Sequence, residues 1–202
     1  MKSLNRLIQY CYSGNSLNQK PTNSGWIEVI CGGMFCGKTE ELLKRIRRAK
    51  IAKLSTIIFK PHIDTRYIKN KIVSHNNNSM DSVIVKKTTE IFDLGKEYDV
   101  LGIDEAQFFD SEIINVCKKL AKHNTRVIVA GLDNDYRGLP FGPMPEIMCQ
   151  ADYLDKLRAI CILCGNPASC TQRITQQTEQ IVIGETDIYE ARCRKCFKSP
   201  EE

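Results

Sequence analysis

The stretch that decides the fold is one octapeptide, Gly32-Gly33-Met34-Phe35-Cys36-Gly37-Lys38-Thr39. It fits the pattern G-x-x-x-x-G-K-[ST], the phosphate-binding P-loop. An apolar run at Trp26–Cys31 precedes it, and a segment with helical periodicity follows it. A strand before the loop and a helix after it are the context that supports this motif, and a glycine-rich turn that matches by chance is the minor alternative.

The residue types in this octapeptide suit the binding of a nucleoside triphosphate. Gly32 and Gly37 permit positive φ values, so that backbone N–H groups can turn toward a polyphosphate. The helix that begins there directs its unpaired N–H groups and the positive end of its dipole toward the anion. We expect Lys38 to reach the β- and γ-phosphates and the Thr39 hydroxyl to ligate Mg²⁺.

Length, composition and charge narrow the class of protein. With 202 residues, 42% apolar and 26% charged, the chain has the composition of a globular domain with a small appendage. The net charge of +5 suits a protein that handles phosphates, but it is too weak to indicate nucleic-acid binding. No apolar run approaches the length of a membrane span. We therefore predict neither a nucleic-acid partner nor membrane association.

Ten cysteines could indicate a disulfide-rich secreted scaffold, but no signal peptide supports that interpretation. Four of them form two C-x-x-C pairs near the C-terminus, which indicates metal binding rather than disulfides. A reducing compartment follows, and we predict a cytoplasmic location.

Residues 1–23 read as an N-terminal extension. They contain Lys2, Arg6 and Lys20 but no acidic residue, and they are rich in Ser, Asn and Gln. A short disordered leader is the favoured interpretation, and an organelle-targeting peptide is the alternative.

From Trp26 onward the hydrophobic pattern alternates between strands and helices. Strands are predicted at Trp26–Cys31, 55–60, 71–75, 82–85, 99–104 and Arg126–Gly131. Helices are predicted over 37–52, from about residue 89 and over 111–123, and residues 133–145 form a Gly- and Pro-rich candidate functional loop. Near-continuous apolar strands separated by helices predict an α/β fold with a parallel sheet flanked by helices.

The same pattern divides the chain into three parts. The extension 1–23 precedes a P-loop α/β domain at 24–155. A small second domain at 156–202 carries the cysteine pairs and short β-like runs but no long helix.

One predicted strand ends in two carboxylates, Asp104 and Glu105. In P-loop proteins the acid at such a strand end holds Mg²⁺ beside the P-loop Thr, and Asp104 is predicted to do so through a water. Capping of a helix is the alternative role for Asp104. Glu105 could orient a water in an ATPase or act as general base on a substrate hydroxyl in a kinase, and the motif alone leaves both open.

The two C-x-x-C pairs, 161–164 and 193–196, predict a closed site of four thiolates for a structural Zn²⁺. Two redox-active dithiols are the alternative, which is disfavoured because no thioredoxin-like βαβ pattern surrounds either pair. Cys170 is expected to be free. The metal would fix both ends of the segment 165–192, which could then lie over a ligand.

Several motifs together resemble the cellular-type (type II) thymidine kinase family. They are the P-loop Gly-x-Met-Phe-x-Gly-Lys-Thr, Lys60-Pro61, Asp64-Thr65-Arg66-Tyr67, residues 103–109, 131–137, Pro140-Phe141-Gly142 and the paired C-x-x-C. The blocks occur in the family order over about residues 25–197, and residues 138–145 look like the bacterial style of this loop.

This resemblance implies a RecA-like P-loop fold with a small zinc-binding lasso domain. It also implies transfer of the γ-phosphoryl group of ATP to the 5′-hydroxyl of thymidine, which gives dTMP in pyrimidine deoxynucleoside salvage. Feedback inhibition by dTTP and a homotetramer are further expectations of the resemblance.

The resemblance assigns roles by matching position. It makes Glu105 the catalytic base, gives Arg66 the stabilisation of the transferring group and has Asp64 order the site. The residues expected to bind ATP and Mg²⁺ are Gly32, Gly33, Met34, Phe35, Cys36, Gly37, Lys38, Thr39, Asp104 and Gln107. Those expected around the base are Met34, Phe108, Leu132, Tyr136 and Phe141, with Thr171, Val182, Gly184 and Tyr189 from the lasso. The expected zinc ligands are Cys161, Cys164, Cys193 and Cys196.

Three positions depart from the family pattern. Gly33 stands where the family usually has Pro, Cys36 stands where it has Ser, and Tyr136 stands where Phe is more usual. Gly33 should loosen the P-loop slightly. Cys36 lies beside Lys38 and a helix N-terminus, where a thiolate is favoured. We hypothesise that the protein is sensitive to oxidation and that ATP protects it.

Two other classes of function compete with a kinase. One is a P-loop ATPase motor or nucleic-acid-binding module whose zinc knuckles grip a strand, against which stand the mild charge and the lack of an aromatic platform. The other is a nucleotide-binding regulator in which Glu105 is idle.

Overall fold

The computed structural model describes residues 24–63, 71–73, 79–182, 184 and 186–199. Its elements in chain order are β1 (Trp26–Cys31), α1 (Lys38–Ile51), β2 (Thr56–Pro61), β3 (Lys71–Val73), β4 (Ser79–Asp81), β5 (Val83–Val85), α2 (Thr89–Gly95), β6 (Val100–Ile103), a 3-10 turn (Ala106–Phe108), α3 (Glu112–Lys122), β7 (Arg126–Gly131), α4 (Met144–Cys149), β8 (Tyr153–Lys156), β9 (Ala159–Ile160), β10 (Pro167–Ala168), β11 (Cys170–Arg173) and β12 (Tyr189–Arg192). The predicted extension 1–23 lies outside the described residues.

A parallel sheet organises the larger part of the chain. Within the described residues it has six strands in the order β5-β2-β6-β7-β1-β8, and every pairing is parallel. In register, Cys31 at the end of β1 lies beside Gly131, and Ile103 at the end of β6 lies beside Val129. The carboxyl ends of β1, β6 and β7 therefore meet at one edge of the sheet, which is where ligands bind in open α/β sheets.

Apolar side chains on both faces of the central strands bury the sheet between helices. One core joins alternate residues of β1 and β7 to the apolar face of α3, including Ile113 and Leu120. The other joins Ile30 and Ile128 to the apolar face of α1, including Leu42. The predicted α/β fold with a parallel sheet flanked by helices is confirmed. Helices cover the central strands on both sides, which explains why the sequences of these strands are apolar almost throughout.

A buried charge network fixes α1, the helix that follows the P-loop, on the sheet. The Glu28 carboxylate of β1 is fully buried and accepts hydrogen bonds from Arg45 of α1 at 2.8 Å and from Arg126 of β7 at 2.6 Å. Arg45 also donates to Asp155 of β8 at 2.6 Å, so one guanidinium ties the helix to two strands. Such pairing is what permits charged groups to be buried at all.

Three described elements differ from the pattern expected from the sequence, and the first is β4, a three-residue strand that pairs antiparallel with β3. Helix α4 begins at the end of the predicted loop 133–145, and its six residues are too few to show helical periodicity. Strand β8 pairs with β1, but all four of its residues are exposed, so it lacks an apolar signal. Because β8 ends at Lys156, it lies on the predicted domain boundary, which stays a prediction.

The smaller part of the chain consists of short antiparallel pairs. Strand β9 pairs with β10, and β11 pairs with β12. A small core of alanines and cysteines holds them together, formed by Ala159, Cys161, Ala168, Ala191 and Cys193. Among the helices that the structure describes, none is long and apolar enough to cross a membrane.

Candidate active site

The P-loop connects β1 to α1 at the ligand-binding edge of the sheet. Gly32 and Gly37 have φ values of 138° and 84°, in the region that side chains disfavour, and Phe35 also has a positive φ of 65°. Helix α1 begins at Lys38, so its unpaired N–H groups face the loop. The Lys38 ammonium donates a hydrogen bond to the carbonyl of Gly33 at 2.8 Å. This geometry is a ready anion-binding site.

Oxygen atoms of Thr39 and Asp104 lie together beside the P-loop. The Thr39 hydroxyl donates to the Asp104 carboxylate, with Oγ1 at 3.2 Å from Oδ2 and 3.5 Å from Oδ1. Asp104 itself is buried directly after β6. A hydroxyl and a carboxylate are hard oxygen ligands of the type that Mg²⁺ takes in phosphate sites, so this pair fits Mg²⁺.

Glu105 holds an uncommon backbone conformation at the end of β6. Its φ of 52° and ψ of 43° place it in the left-handed region, directly before the 3-10 turn. Such conformations cluster at functional sites because the surrounding structure must enforce them. The Glu105 carboxylate accepts a hydrogen bond from the Gln107 side-chain amide at 2.5 Å.

A single cavity of about 370 Å³ joins the P-loop to the smaller part of the chain. Its size and largely apolar wall suit a small molecule. The rings of Phe108 and Phe141 meet edge to face in this wall, with centroids 5.7 Å apart. The lining residues are Met34, Phe35, Gly37, Lys38, Thr39, Glu40, Glu105, Phe108, Leu132, Asn134, Asp135, Tyr136, Phe141, Thr171, Gln180, Ile181, Val182, Gly184 and Tyr189.

Asp135 organises the loop that follows β7. Its carboxylate accepts hydrogen bonds from the backbone N–H groups of Arg137 and Leu139 and from the Arg137 guanidinium. The Gln180 amide, from the segment that follows β11, donates to the same carboxylate at 3.1 Å. Burial opposes ionisation of Asp135, but these donors outweigh it and lower the pKa of the carboxyl below its ordinary value.

Arg173 of β11 holds the segment that covers the cavity. Its buried guanidinium donates to the carbonyls of Gln177, Glu179 and Gln180 and lies 3.6 Å from the centre of the Tyr136 ring. It also donates to the Tyr189 hydroxyl, which in turn donates to the carbonyl of Val182 at 2.8 Å, and the Tyr136 hydroxyl donates to the carbonyl of Thr178 at 2.9 Å. The segment is therefore tied down through its backbone.

The four cysteines of the two C-x-x-C pairs lie together. Their sulfurs all fall within 4.8 Å of one another, and both Cys164–Cys193 and Cys164–Cys196 are separated by 3.6 Å. Disulfide sulfurs are about 2.05 Å apart, whereas tetrahedral Zn²⁺ with Zn–S distances of about 2.3 Å places them about 3.8 Å apart. Cys170, predicted to be free, is not part of this cluster.

The electrostatics of the cluster also suit a cation. Desolvation opposes ionisation of Cys161, but N–H groups of Cys193, Leu163 and Cys164 lower the pKa of its thiol to about 6. The neighbouring thiols of Cys164 and Cys193 raise the pKa of Cys196 to about 12. Four thiolates in one place therefore need a positive charge among them, which a bound Zn²⁺ would supply.

The P-loop contacts the cysteine-bearing part of the chain directly. The Met34 N–H donates to the Thr171 hydroxyl of β11 at 2.9 Å. Phe35 and Cys36 pack against the small core that contains Cys161 and Cys193. The loop predicted to bind phosphate is thus supported from the side by the predicted metal domain.

The amino-acid sequence was compared with protein families and with characterised proteins. Residues 25–197 match the family model described as thymidine kinase. The chain belongs to the thymidine kinase family. It is 52% identical over 176 residues to the thymidine kinase of Rhodothermus sp. (strain ITI 518), covering 87% of this chain and 83% of the relative. It is 50% identical over 180 residues to that of Bacteroides fragilis (strain YCH46), covering 89% and 90%.

Among solved structures, the thymidine kinase chain is similar to the genome packaging NTPase B204 from Sulfolobus turreted icosahedral virus 2. The TM-score is 0.41 and the sequence identity 22%, over 65% of this chain and 73% of that chain.

Most residues that the thymidine kinase resemblance singled out line this cavity, although their roles stay predictions. The exceptions among the described residues are the four cysteines, which form their own cluster, and Gly32, Gly33, Cys36, Asp104 and Gln107, each of which lies next in sequence or nearly so to a lining residue. Gln107 is buried, and its described hydrogen bonds join it to Glu105 and Leu132. Asp64 and Arg66 lie outside the described residues.

Two residues with a clear structural place at this cavity were not predicted from the sequence. Asp135 is one of several acids in a loop, and only its folded partners distinguish it. Arg173 could have been found, because the period-2 alternation of a strand puts it on the same face as Thr171.

Proposed function

We propose that the protein transfers the γ-phosphoryl group of ATP to the 5′-hydroxyl of thymidine and releases ADP and dTMP. One observation carries this proposal: Lys38 and Thr39 of the P-loop, Glu105 and an aromatic wall line the same cavity. A phosphate donor and a nucleoside whose base packs on the aromatic wall could thus meet at one carboxylate.

The donor half of the site would consist of the P-loop and the two oxygen ligands beside it. Lys38 and the N-terminus of α1 would hold the phosphates. Thr39 and Asp104 would hold Mg²⁺, which when bound neutralises charge on the phosphate oxygens. Phosphoryl transfer is mostly positioning and charge stabilisation, which is what these groups supply. Arg66 and Asp64 are proposed to assist by the family resemblance.

The acceptor half would hold the nucleoside against Glu105. Phe108 and Phe141 would pack on the thymine ring, and backbone groups of the segment near Val182 and Gly184 would hydrogen-bond its edge. Glu105 would accept the proton of the 5′-hydroxyl as that oxygen attacks the γ-phosphorus and ADP leaves. An analogue that leaves the backbone groups buried and unpaired would lose about 1–3 kcal/mol of binding for each.

The test is ADP release with and without thymidine, together with detection of dTMP. We expect release to depend on thymidine, and Glu105→Gln to lower turnover by about 10²- to 10⁴-fold while ATP binding persists. ADP release that ignores thymidine but increases with DNA or RNA would contradict the proposal and favour a nucleic-acid-dependent ATPase.

We also propose a salvage role in the cytoplasm, inhibition by dTTP, a structural Zn²⁺ at the four cysteines and a homotetramer. The continuous cavity supports the inhibition, because dTTP carries a thymine and a triphosphate that could occupy both halves at once. The inhibition should be competitive with thymidine, and light scattering of the purified protein tests the tetramer.

A further inference from the structure

We propose that Gln107 is the positioning residue for Glu105. Its side-chain amide, oriented by the backbone N–H of Leu132, holds the Glu105 carboxylate in the place where the base must act. The inference rests on the proposed role of Glu105 as the base, and it gives Gln107 a role other than contact with ATP or Mg²⁺.

The chemistry of the neighbours dictates which way the Gln107 amide points. The Leu132 N–H lies 2.9 Å from one amide atom, and because an N–H can only donate, that atom must be the oxygen. The amide nitrogen then faces Glu105 Oε2 at 2.5 Å. Reversing the amide would set two N–H donors against each other and the amide oxygen against a carboxylate. One orientation is therefore strongly preferred.

Close packing holds the amide in this position. Gln107 is 3% exposed and lies in the 3-10 turn, whose hydrogen bonds run from Phe108 N–H to the Glu105 carbonyl and from Phe109 N–H to the Ala106 carbonyl. Gly131 leaves room beside it, since a Cβ there would lie 3.0 Å from the Gln107 amide oxygen and 2.6 Å from the sulfur of Met144. The amide has little freedom to move away from Glu105.

Glu105 needs such a partner because its side chain has three rotatable bonds and its backbone is in the left-handed region. A base acts efficiently only when its oxygen is held within a fraction of an ångström of the productive position. A hydrogen bond to the ionised carboxylate restricts it and favours the charged form that can accept a proton.

The arrangement also links the base to the acceptor pocket. Leu132 lines the cavity and also orients Gln107 with its N–H, so the wall of the pocket and the position of Glu105 share one support. The support comes from the end of β7, whereas Glu105 follows β6. The hydrogen bonds of Gln107 thus connect the end of β7 to the end of β6 at the site.

The experiment replaces Gln107 by Glu and, separately, by Met. Gln107→Glu keeps the volume and an acceptor for the Leu132 N–H, but it replaces the donor to Glu105 by a second carboxylate, so that the two carboxyl groups would have to share a proton. Gln107→Met removes both hydrogen bonds at similar volume. We expect both to lower the single-turnover rate by about 10- to 100-fold, the size typical of residues that orient a functional group. The KM values for thymidine and ATP should stay within about threefold, because binding groups are untouched.

The matched control is Gln150→Glu, the same change at an exposed glutamine outside the cavity, which should keep the wild-type rate. A double-mutant cycle with Glu105→Gln supplies the decisive readout. If Gln107 acts only through Glu105, adding Gln107→Met to Glu105→Gln should cost less than about twofold. A general structural role would instead lower the rate again by the same factor, and that result would overturn the proposal.

The failures of the two proposals are distinguishable. If Glu105→Gln keeps normal turnover, the base role of Glu105 is wrong and the positioning role fails with it. If Glu105→Gln loses turnover while both Gln107 variants keep the wild-type rate, only the positioning role is wrong.

Discussion

Cys36 brings a reactive side chain into the P-loop at a position where its surroundings are cationic. Its sulfur lies 3.9 Å from the Lys38 ammonium, just before the N-terminus of α1. We predict that peroxide inactivates the protein through this thiol, that ATP slows the loss, and that Cys36→Ser resists it. The measurement is residual kinase activity against time in peroxide.

The control for this prediction is Cys149→Ser, which removes an exposed thiol elsewhere in the chain and should inactivate at the wild-type rate. Loss of activity by Cys36→Ser as fast as by the wild type would refute the role of Cys36.

Single residues also show which parts of the site can be predicted from sequence. Lys38, Thr39 and the four zinc-ligand candidates belong to motifs with fixed spacing, so residue type and order suffice to identify them. The arrangement around Gln107 could not be predicted, because its orientation depends on Leu132, which is distant in sequence and reaches it only through the pairing of β6 with β7. The orientation of the Gln107 amide is determined by residues that are close only in the folded protein.

At the scale of elements, the position of α1 depends on the buried Glu28. Replacing Glu28 by Gln would remove the buried carboxylate that Arg126 faces and would leave Arg45, among its described contacts, with only Glu41 and Asp155 as ionised partners. We expect the free energy of unfolding to fall by about 3–5 kcal/mol, as when one partner of a buried ion pair is removed. Urea denaturation measures this change.

The control, Glu112→Gln, removes an exposed carboxylate that lies 3.9 Å from the Lys119 ammonium, and it should change the free energy of unfolding by less than about 1 kcal/mol.

Equal stabilities of the Glu28→Gln and Glu112→Gln variants would show that the network does not anchor α1. Because α1 begins in the P-loop, the Glu28 variant should also bind ATP more weakly.

The segment over the cavity is a second element whose order depends on one side chain. Arg173→Lys keeps the charge but cannot reach three carbonyls and the Tyr189 hydroxyl at once, since Lys lacks the planar fork of Arg. We expect the KM for thymidine to rise by about tenfold or more and the segment 174–188 to be cleaved faster by protease. Arg192→Lys, at a guanidinium that bonds only Glu190 among the described contacts, is the control and should behave as wild type.

Unchanged KM and cleavage in Arg173→Lys would mean that the segment is held by other contacts.

The importance of Arg173 could not be predicted from the sequence, because its partners are backbone carbonyls, which every residue type carries. Similarly, β8 was missed because an exposed edge strand has no hydrophobic alternation.

At the scale of the whole molecule, the four-cysteine cluster and the P-loop share a boundary. The small core that contains Cys161 and Cys193 is also the surface on which Phe35 and Cys36 of the P-loop pack, and Thr171 holds the Met34 N–H from the same side. So small a core has few apolar side chains, and we expect a metal at the four cysteines to stabilise it. Disorder of this core would therefore disturb the packing of Phe35 and Cys36, and so the conformation of the P-loop, even though the P-loop sequence is unchanged.

We predict that loss of the metal weakens nucleotide binding as well as thymidine binding. Cys164→Ser, which removes an exposed ligand, should release Zn²⁺ and raise the dissociation constant of an ATP analogue by about tenfold, because Phe35 and Cys36 lose their packing partner. Cys170→Ser is the matched control, since this thiol lies outside the cluster. The measurements are zinc content by atomic emission and nucleotide affinity by calorimetry. If Cys164→Ser loses its zinc but binds the nucleotide as tightly as Cys170→Ser does, the two sites are independent, and the contacts between them serve only to position the segment over the acceptor.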